Sequence, residues 1–225
     1  MIVKLTIIGV GLIGSSIARA ARGKGLDVTL FDASEAVRTR CVALDLGMVA
    51  DSLSAAVQGA DCVMICAPVG AMGAIAAEIG GHLKAGAIVT DVGSVKGAVI
   101  EAVSPHVQPH AHFVPGHPIA GTEYSGPDSG FAHLFEQRWL ILTPLASSDP
   151  AYEAAVETLS AMWRSFGSQV EIMTPAQHDL TLAVTSHLPH LIAFNIVTMA
   201  EDFEKVAESD VVKFSASGFR DFTRI

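Results

Sequence analysis

Lys4-Leu-Thr-Ile-Ile-Gly9-Val-Gly11-Leu12-Ile13-Gly14 decides the fold of this chain. Residues 4–8 are a short apolar run that stops at glycine, the pattern of a strand buried on both faces. Gly9, Gly11 and Gly14 then fall in the spacing G-x-G-x-x-G. The first glycine permits a tight turn, the second lets a pyrophosphate approach the backbone, and the third lets a helix pack on the strand. Leu12 to Arg22 reads as that helix, and its first turn offers unpaired N–H groups and partial positive charge to phosphates. Gly9, Gly11, Leu12, Ile13 and Gly14 are therefore candidate cofactor-binding residues.

Asp32 strengthens this reading. It closes the next apolar run, Asp27-Val-Thr-Leu-Phe-Asp32, about twenty residues on, where a carboxylate binds ribose hydroxyls. Its charge would repel a 2′-phosphate, and Ala33 and Ser34 offer no arginine to offset it. NAD is the expected cofactor, with NADP disfavoured. The plainer alternative is a glycine turn with Asp32 as a surface helix cap.

Outward from this turn, strand and helix signals alternate. Strands are expected at Met48-Val-Ala-Asp51, Cys62 to Ala67, Ala87 to Asp91, Phe113 to Pro115, Trp139 to Thr143 and Gln169 to Met173. Helical stretches lie between them. This predicts an α/β fold of Rossmann type, with a mostly parallel sheet covered on both faces. The third strand ends Cys66-Ala-Pro68, where Pro68 either borders the cofactor or simply ends the strand. The texture changes at Thr174-Pro175, a helix cap followed by a first-turn proline. From Ala176 to about Ala207 the periodicity is helical. The expected organisation is a dinucleotide-binding domain over 1–174 and a helical domain over 175–225. About 50 helical residues are too few for an independent core, so this second domain is expected to be truncated, or completed by a partner chain.

Composition sets limits. Half of the 225 residues are hydrophobic, the formal net charge is −9, and there is no basic run. Nucleic acid is an unsuitable partner, because phosphate binding needs clustered Lys and Arg. A small anionic ligand responds to a few local charges and stays admissible. The three cysteines, Cys41, Cys62 and Cys66, lack an extracellular spacing and point to a reducing compartment. Cys62 and Cys66 share a strand face and read as core. Residues 1–14 are not a signal peptide, since their glycines form the phosphate turn. No apolar run reads as long enough to cross a bilayer. A soluble cytoplasmic protein with no membrane partner is expected.

Two further stretches carry chemistry. In Gly116-His117-Pro118-Ile-Ala-Gly121 the proline holds His117 extended, and the glycines allow close approach of the backbone to a ligand. His117 is a candidate general base. Asp91-Val-Gly-Ser94-Val-Lys96 follows a strand, and loops at the carboxyl ends of parallel strands face the ligand crevice. Ser94 is a candidate hydrogen-bonding residue there. Lys96 has two readings: a crevice residue, or a solvated charge opening the next helix.

The glycine turn, Asp91-x-Gly-Ser-Val-Lys96, Gly116-His-Pro-Ile-Ala-Gly-Thr-Glu123, Ser186-His-Leu-Pro-His190 and Gly218-Phe-Arg-Asp-Phe-Thr-Arg224 together resemble the prephenate/arogenate (cyclohexadienyl) dehydrogenase family of tyrosine biosynthesis. The resemblance runs in order from residue 3 to residue 225. It implies an oxidoreductase, with NAD-dependent oxidative decarboxylation of prephenate or arogenate. His117 would be the catalytic base, and Ser94 would orient it and the substrate hydroxyl. Arg224 would bind the ring carboxylate. His190 would contact the substrate from the helical domain, with His187 on nearly the same face. Glu123 would stand near the site entrance, or else be a solvated loop carboxylate. From spacing alone, Arg220 and Asp221 lie within one or two turns of Arg224 and read as an ion pair that orients the segment. A homodimer through the helical domain is also implied.

His187, His190 and the pair His178-Asp179 could in principle hold a metal, but hydride transfer with aromatisation needs no Lewis acid, and no metal is expected. His106, His110 and His112 read as an exposed loop. Two other functions compete. A dehydrogenase of other hydroxyacids would be expected to carry a catalytic lysine in its helical domain, where Lys205 and Lys213 are the only lysines and neither has such a context. A non-catalytic NAD-binding module would bind cofactor without turnover. No residue separates a side-chain ketone from an amine, so prephenate and arogenate both stay open.

Overall fold

The computed structural model describes residues 1–207 and 212–223, with the backbone alone at 204–207 and 212. The chain divides into two compact units, Met1–His178 and Asp179–Ile225.

The first unit is built on six parallel strands: β1 Lys4–Ile8, β2 Asp27–Phe31, β3 Met48–Val49, β4 Cys62–Ile65, β5 Ile88–Asp91 and β6 His112–Phe113. Their order in the sheet is β3-β2-β1-β4-β5-β6. The order reverses between β1 and β4, and such a reversal opens a crevice at the carboxyl ends of the strands. Helices α1 Leu12–Gly23, α2 Glu35–Ala43, α3 Leu53–Val57, α4 Val69–Ile79, α5 Lys96–Val103 and α6 Pro150–Ser165 occupy the connections.

Strand alternation explains why both faces are covered. Leu5 and Ile7 of β1, with Cys62 and Met64 of β4, join one buried cluster that includes Ile17 of α1 and Trp163 of α6. Ile8, Val63 and Ile65 point the other way, into a cluster with Val57, Met72 and Val99 of α3, α4 and α5. Each such side chain contributes roughly 1.5–3 kcal/mol by leaving water. Cys41 and Cys62 are buried and Cys66 partly so, all three as free thiols. Burial pushes the Cys41 thiol up to about 11.

One expectation is corrected. The later strands do not extend the parallel sheet. β7 Gly116–Pro118, β8 Trp139–Leu142 and β9 Gln169–Ile172 form a separate three-stranded sheet, in the order β7-β8-β9. β7 and β8 run antiparallel, pairing His117 with Ile141, and β8 and β9 run parallel. His117 is extended, as its proline predicts, and lies on β7 of this second sheet.

Helix α7, Pro175–Leu182, begins with a reciprocal cap. The Gln177 amide N–H donates to Thr174 Oγ1 (3.2 Å), and the Thr174 N–H donates to Gln177 Oε1 (3.0 Å), which satisfies two helix-start donors together. A π-helical turn, Ala183–His187, leads into α8 Leu188–Ala207, and α9 Ser217–Thr223 follows. A second expectation is corrected here. The helical run Pro175–Phe203, 29 residues, is long and apolar enough to cross a bilayer by length and composition. Scanning for an unbroken apolar stretch misses it, because His178, Asp179, His187, His190 and Asn195 are spread along it. In the second unit Leu180, Val184, Leu188 and Leu191 all expose their side chains.

Candidate active site

The glycine turn closes β1. Gly9 has φ +92°, a left-handed backbone that glycine adopts without strain. A Cβ on Gly9 would also lie 2.7 Å from the Cys66 carbonyl oxygen of the neighbouring strand end. Gly14 packs so closely that a Cβ there would strike the carbonyl oxygen of Gly9. Around Gly11, at the N-cap of α1, a Cβ would meet nothing within 4 Å. Two glycines thus fit tight protein packing, and the third fits a ligand's approach to bare backbone. A dinucleotide pyrophosphate suits this arrangement. Leu12 and Ile13 open α1 and are partly buried.

Asp32 stands beside this turn. Its Oδ2 accepts from the Val10 N–H at 2.8 Å, and its Oδ1 accepts from the Ser34 N–H at 2.9 Å. The carboxylate is therefore fixed in direction, with lone pairs remaining for ribose hydroxyls. An arginine does stand near, although not at 33 or 34. Arg38 donates from Nη1 to the carbonyls of Asp32 (2.6 Å) and Ala33 (3.2 Å), and its guanidinium lies over the Phe31 ring. It was missed because it lies part-way along α2. Pro68 is the exposed N-cap of α4, just past the β4 end.

The end of β5 is the most heavily bonded part of the site. Lys96 is the first residue of α5, and its side chain is wholly sealed from solvent, as is that of Asp91. Lys96 Nζ donates to Asp91 Oδ2 (2.5 Å) and to the Gly116 carbonyl oxygen (2.6 Å). Asp91 Oδ1 accepts from the Gly116 N–H (3.2 Å), and Oδ2 from the Gly93 N–H (2.7 Å). One buried ion pair thus clasps both backbone polar groups of the residue before His117. Burial pushes the Asp91 carboxyl up, while the Lys96 charge and the N–H groups of Gly93 and Gly116 pull it down. The outcome is neither reading of Lys96 offered above: it is a buried structural cation. The sequence holds a hint, since a lysine opposes the helix dipole at a first turn and calls for a partner.

This clasp brings β7 against the carboxyl end of β5. A Cβ on Gly116 would lie 3.2 Å from the Asp91 carbonyl oxygen. Ser94 is exposed on the loop between β5 and α5. His117 is half-buried on β7, and its Nδ1 lies 2.9 Å from Nε2 of His178. His178 is fully buried on the first turns of α7. Sequence reasoning raised His178 only as a metal ligand and missed this pairing, because no local signal couples positions 61 residues apart.

The remaining candidates are placed as follows. Glu123 is exposed between β7 and a segment held against the first helices. That segment is tied by Arg19 to the Pro127 carbonyl oxygen, by the Phe131 N–H to Ser16 Oγ, and by an ion pair of Arg40 with Asp128. His187, half-buried, and His190, exposed, belong to the second unit. Arg224 and the side chain of Lys205 lie outside the described residues. Among the described residues, no group of three His, Cys, Asp or Glu side chains is placed to hold a metal ion.

Comparison with known proteins places the chain in a family. Residues 17–172 match the family described as prephenate dehydrogenase, nucleotide-binding domain, and residues 174–225 match prephenate dehydrogenase, dimerization domain. The chain is 45% identical to a cyclohexadienyl dehydrogenase of Zymomonas mobilis, covering 98% of this chain and 75% of that protein. It is 34% identical to a prephenate dehydrogenase of Bacillus subtilis, covering 98% of this chain and 60% of the relative. A crystal structure of prephenate dehydrogenase from Aquifex aeolicus, in complex with hydroxyphenyl propionate and NAD+, superposes with a TM-score of 0.89. That protein is 33% identical, over 100% of this chain and 78% of its own. The chain belongs to the prephenate dehydrogenase family.

Proposed function

We propose that this chain carries out NAD-dependent oxidative decarboxylation of prephenate, arogenate or both. The observation that carries the reading is the geometry at one sheet edge. The open backbone at Gly11 follows the carboxyl end of β1, and Gly116, the residue before His117, is bonded to Asp91 at the carboxyl end of β5 in the same parallel sheet. The family match favours this substrate class over other hydroxyacids.

The substrate is a cyclohexadiene with a ring hydroxyl and a ring carboxylate. A nicotinamide dinucleotide held at the glycine turn supplies the hydride acceptor. His117 takes the hydroxyl proton as the hydride leaves the same carbon, and the O–H electron pair becomes the second bond of a carbonyl. Loss of CO2 sends its bonding pair through the ring to that oxygen, which recovers the proton from His117 as the ring becomes aromatic. A positioned base of this kind contributes about 10²–10⁴ in rate. Ser94 orients the hydroxyl toward the base. Arg224, with Glu123, His187 and His190, binds the substrate, assignments supported by their match to the family's motifs. A guanidinium on a carboxylate that is lost in the reaction serves binding and KM rather than kcat.

Asp32 supports a preference for NAD over NADP, and Pro68 borders the cofactor. The exposed row Leu180, Val184, Leu188 and Leu191, within the match to a dimerization domain, supports a homodimer formed through the helical unit. Such a row calls for an apolar cover, which a second copy supplies without a membrane or nucleic acid. Three free cysteines suit a cytoplasmic location.

The test uses full-length protein with NAD and either prephenate or arogenate, followed at the NADH absorbance band. Turnover with at least one substrate is expected. Cofactor binding with no turnover on either would reject the reading, in favour of a non-catalytic module.

A further inference from the structure

Beside His117 stands a group that the reaction itself does not require. His178 is fully buried, and its Nε2 lies 2.9 Å from Nδ1 of His117. The rings meet edge to face, 5.1 Å apart at 61°. Both partners are held from behind. The Gly116 clasp and the pairing with Ile141 fix the backbone of His117. The Thr174–Gln177 cap fixes the start of α7, and the His178 N–H donates to the Thr174 carbonyl oxygen at 3.0 Å.

A hydrogen bond between two imidazole nitrogens has two arrangements, and they differ in consequence. If His178 donates, the proton of neutral His117 sits on Nε2, which then has no lone pair to accept the substrate's hydroxyl proton. If His117 donates from Nδ1, its Nε2 lone pair is available. Only the second arrangement survives proton uptake. A protonated His117 carries N–H on both nitrogens, and Nδ1–H must then face a lone pair. In that state the bond becomes charge-assisted and stronger, so it favours the transition state over the ground state.

We propose that His178 is a positioning residue for the base: it presents its Nε2 lone pair to Nδ1–H of His117 and holds that ring in the tautomer and orientation that leave Nε2 able to take the substrate proton. No proton passes to His178, where a cation on a fully buried ring would be costly. The inference rests on the reading of His117 as base.

The test compares His178→Leu and His178→Gln in the full-length chain, with a thermal melt and an NAD titration on each. A glutamine side chain reaches the place of Nε2 and offers an acceptor oxygen. Leucine fills the volume and offers none. We expect His178→Leu to lose about 10–100-fold in kcat, with KM for substrate and NAD affinity within about threefold of wild type. His178→Gln should recover most of the loss. A folded His178→Leu with kcat within threefold of wild type would overturn the proposal, as would a glutamine variant that falls as far as leucine. Should the leucine variant not fold, His178→Asn replaces it. Its amide stops short of the Nε2 place, so it should fall well below glutamine, and equality of the two overturns the proposal. An inactive wild-type enzyme would instead strike at the functional reading, which separates the two failures.

Discussion

Lys96 and Asp91 meet at 2.5 Å with both side chains sealed from water, and together they hold the backbone of Gly116. Removing one charge from such a pair leaves the other buried and unpaired, which costs about 3–5 kcal/mol. Lys96→Met is expected to lower unfolding free energy by about that amount. Adding Asp91→Leu should restore part of the stability, because the orphaned charge is gone. The double variant should still be slow, since nothing clasps Gly116. Urea denaturation of both single variants and the double checks this. Strict additivity of the two changes would contradict the clasp.

The glycine turn gives a contrast within one motif. Gly11→Ala adds a methyl where no protein atom lies within 4 Å. Stability should change by less than about 0.5 kcal/mol, while NAD affinity falls about tenfold or more. Gly14→Ala forces a methyl onto the Gly9 carbonyl and should destabilise the fold itself. Calorimetric NAD titration together with thermal melts separates the two. A Gly11→Ala protein that binds NAD like wild type would place the pyrophosphate elsewhere.

Asp32 is expected to set cofactor choice. Wild-type kcat/KM should be higher with NAD than with NADP. In Asp32→Asn the negative charge is lost and one acceptor oxygen remains, so the preference should narrow by about tenfold, or roughly 1.4 kcal/mol. Equal or better use of NADP by the wild type would reject this assignment, and would turn attention to Arg38.

Asp61 offers a stability test away from the chemistry. Its Oδ2 accepts from the N–H groups of Val3 and Lys4, and its Oδ1 pairs with Lys84. Burial works upward on this carboxyl but is outweighed by Lys84 and the N–H groups of Lys4 and Val3, which bring it down to about 2. A depressed carboxyl stabilises the fold above its unfolded value near 4, and that contribution is lost as pH falls toward 2. Asp61→Asn should cost about 1 kcal/mol near pH 7, after allowance for a partly solvated site. The difference should shrink as pH falls from about 5 to about 3. A pH-independent difference in urea melts would contradict this.

Much of the fold was legible because its signals are local. The glycine spacing, the apolar strands and the Thr174-Pro175 helix start each depend on neighbours in sequence, and each stands where expected. The second sheet was not legible. It depends on β7 meeting β8 in antiparallel pairing across about twenty intervening residues, and apolar runs do not announce their partners. The same limit governs the site. The extended backbone of His117 was legible from its proline, which restricts the preceding residue. His178 and the buried state of Lys96 arise from contacts between distant segments. The apolar run of α7 and α8 escaped notice because polar residues interrupt it.

The central claim is that His117 is the base in substrate oxidation. Its most direct test is kcat for His117→Ala in the full-length enzyme, with NAD and whichever cyclohexadienyl substrate the wild type turns over. The account predicts a loss of about 10²–10⁴, with NAD affinity and thermal stability close to wild type. A folded His117→Ala enzyme that keeps kcat within about tenfold of wild type would contradict it.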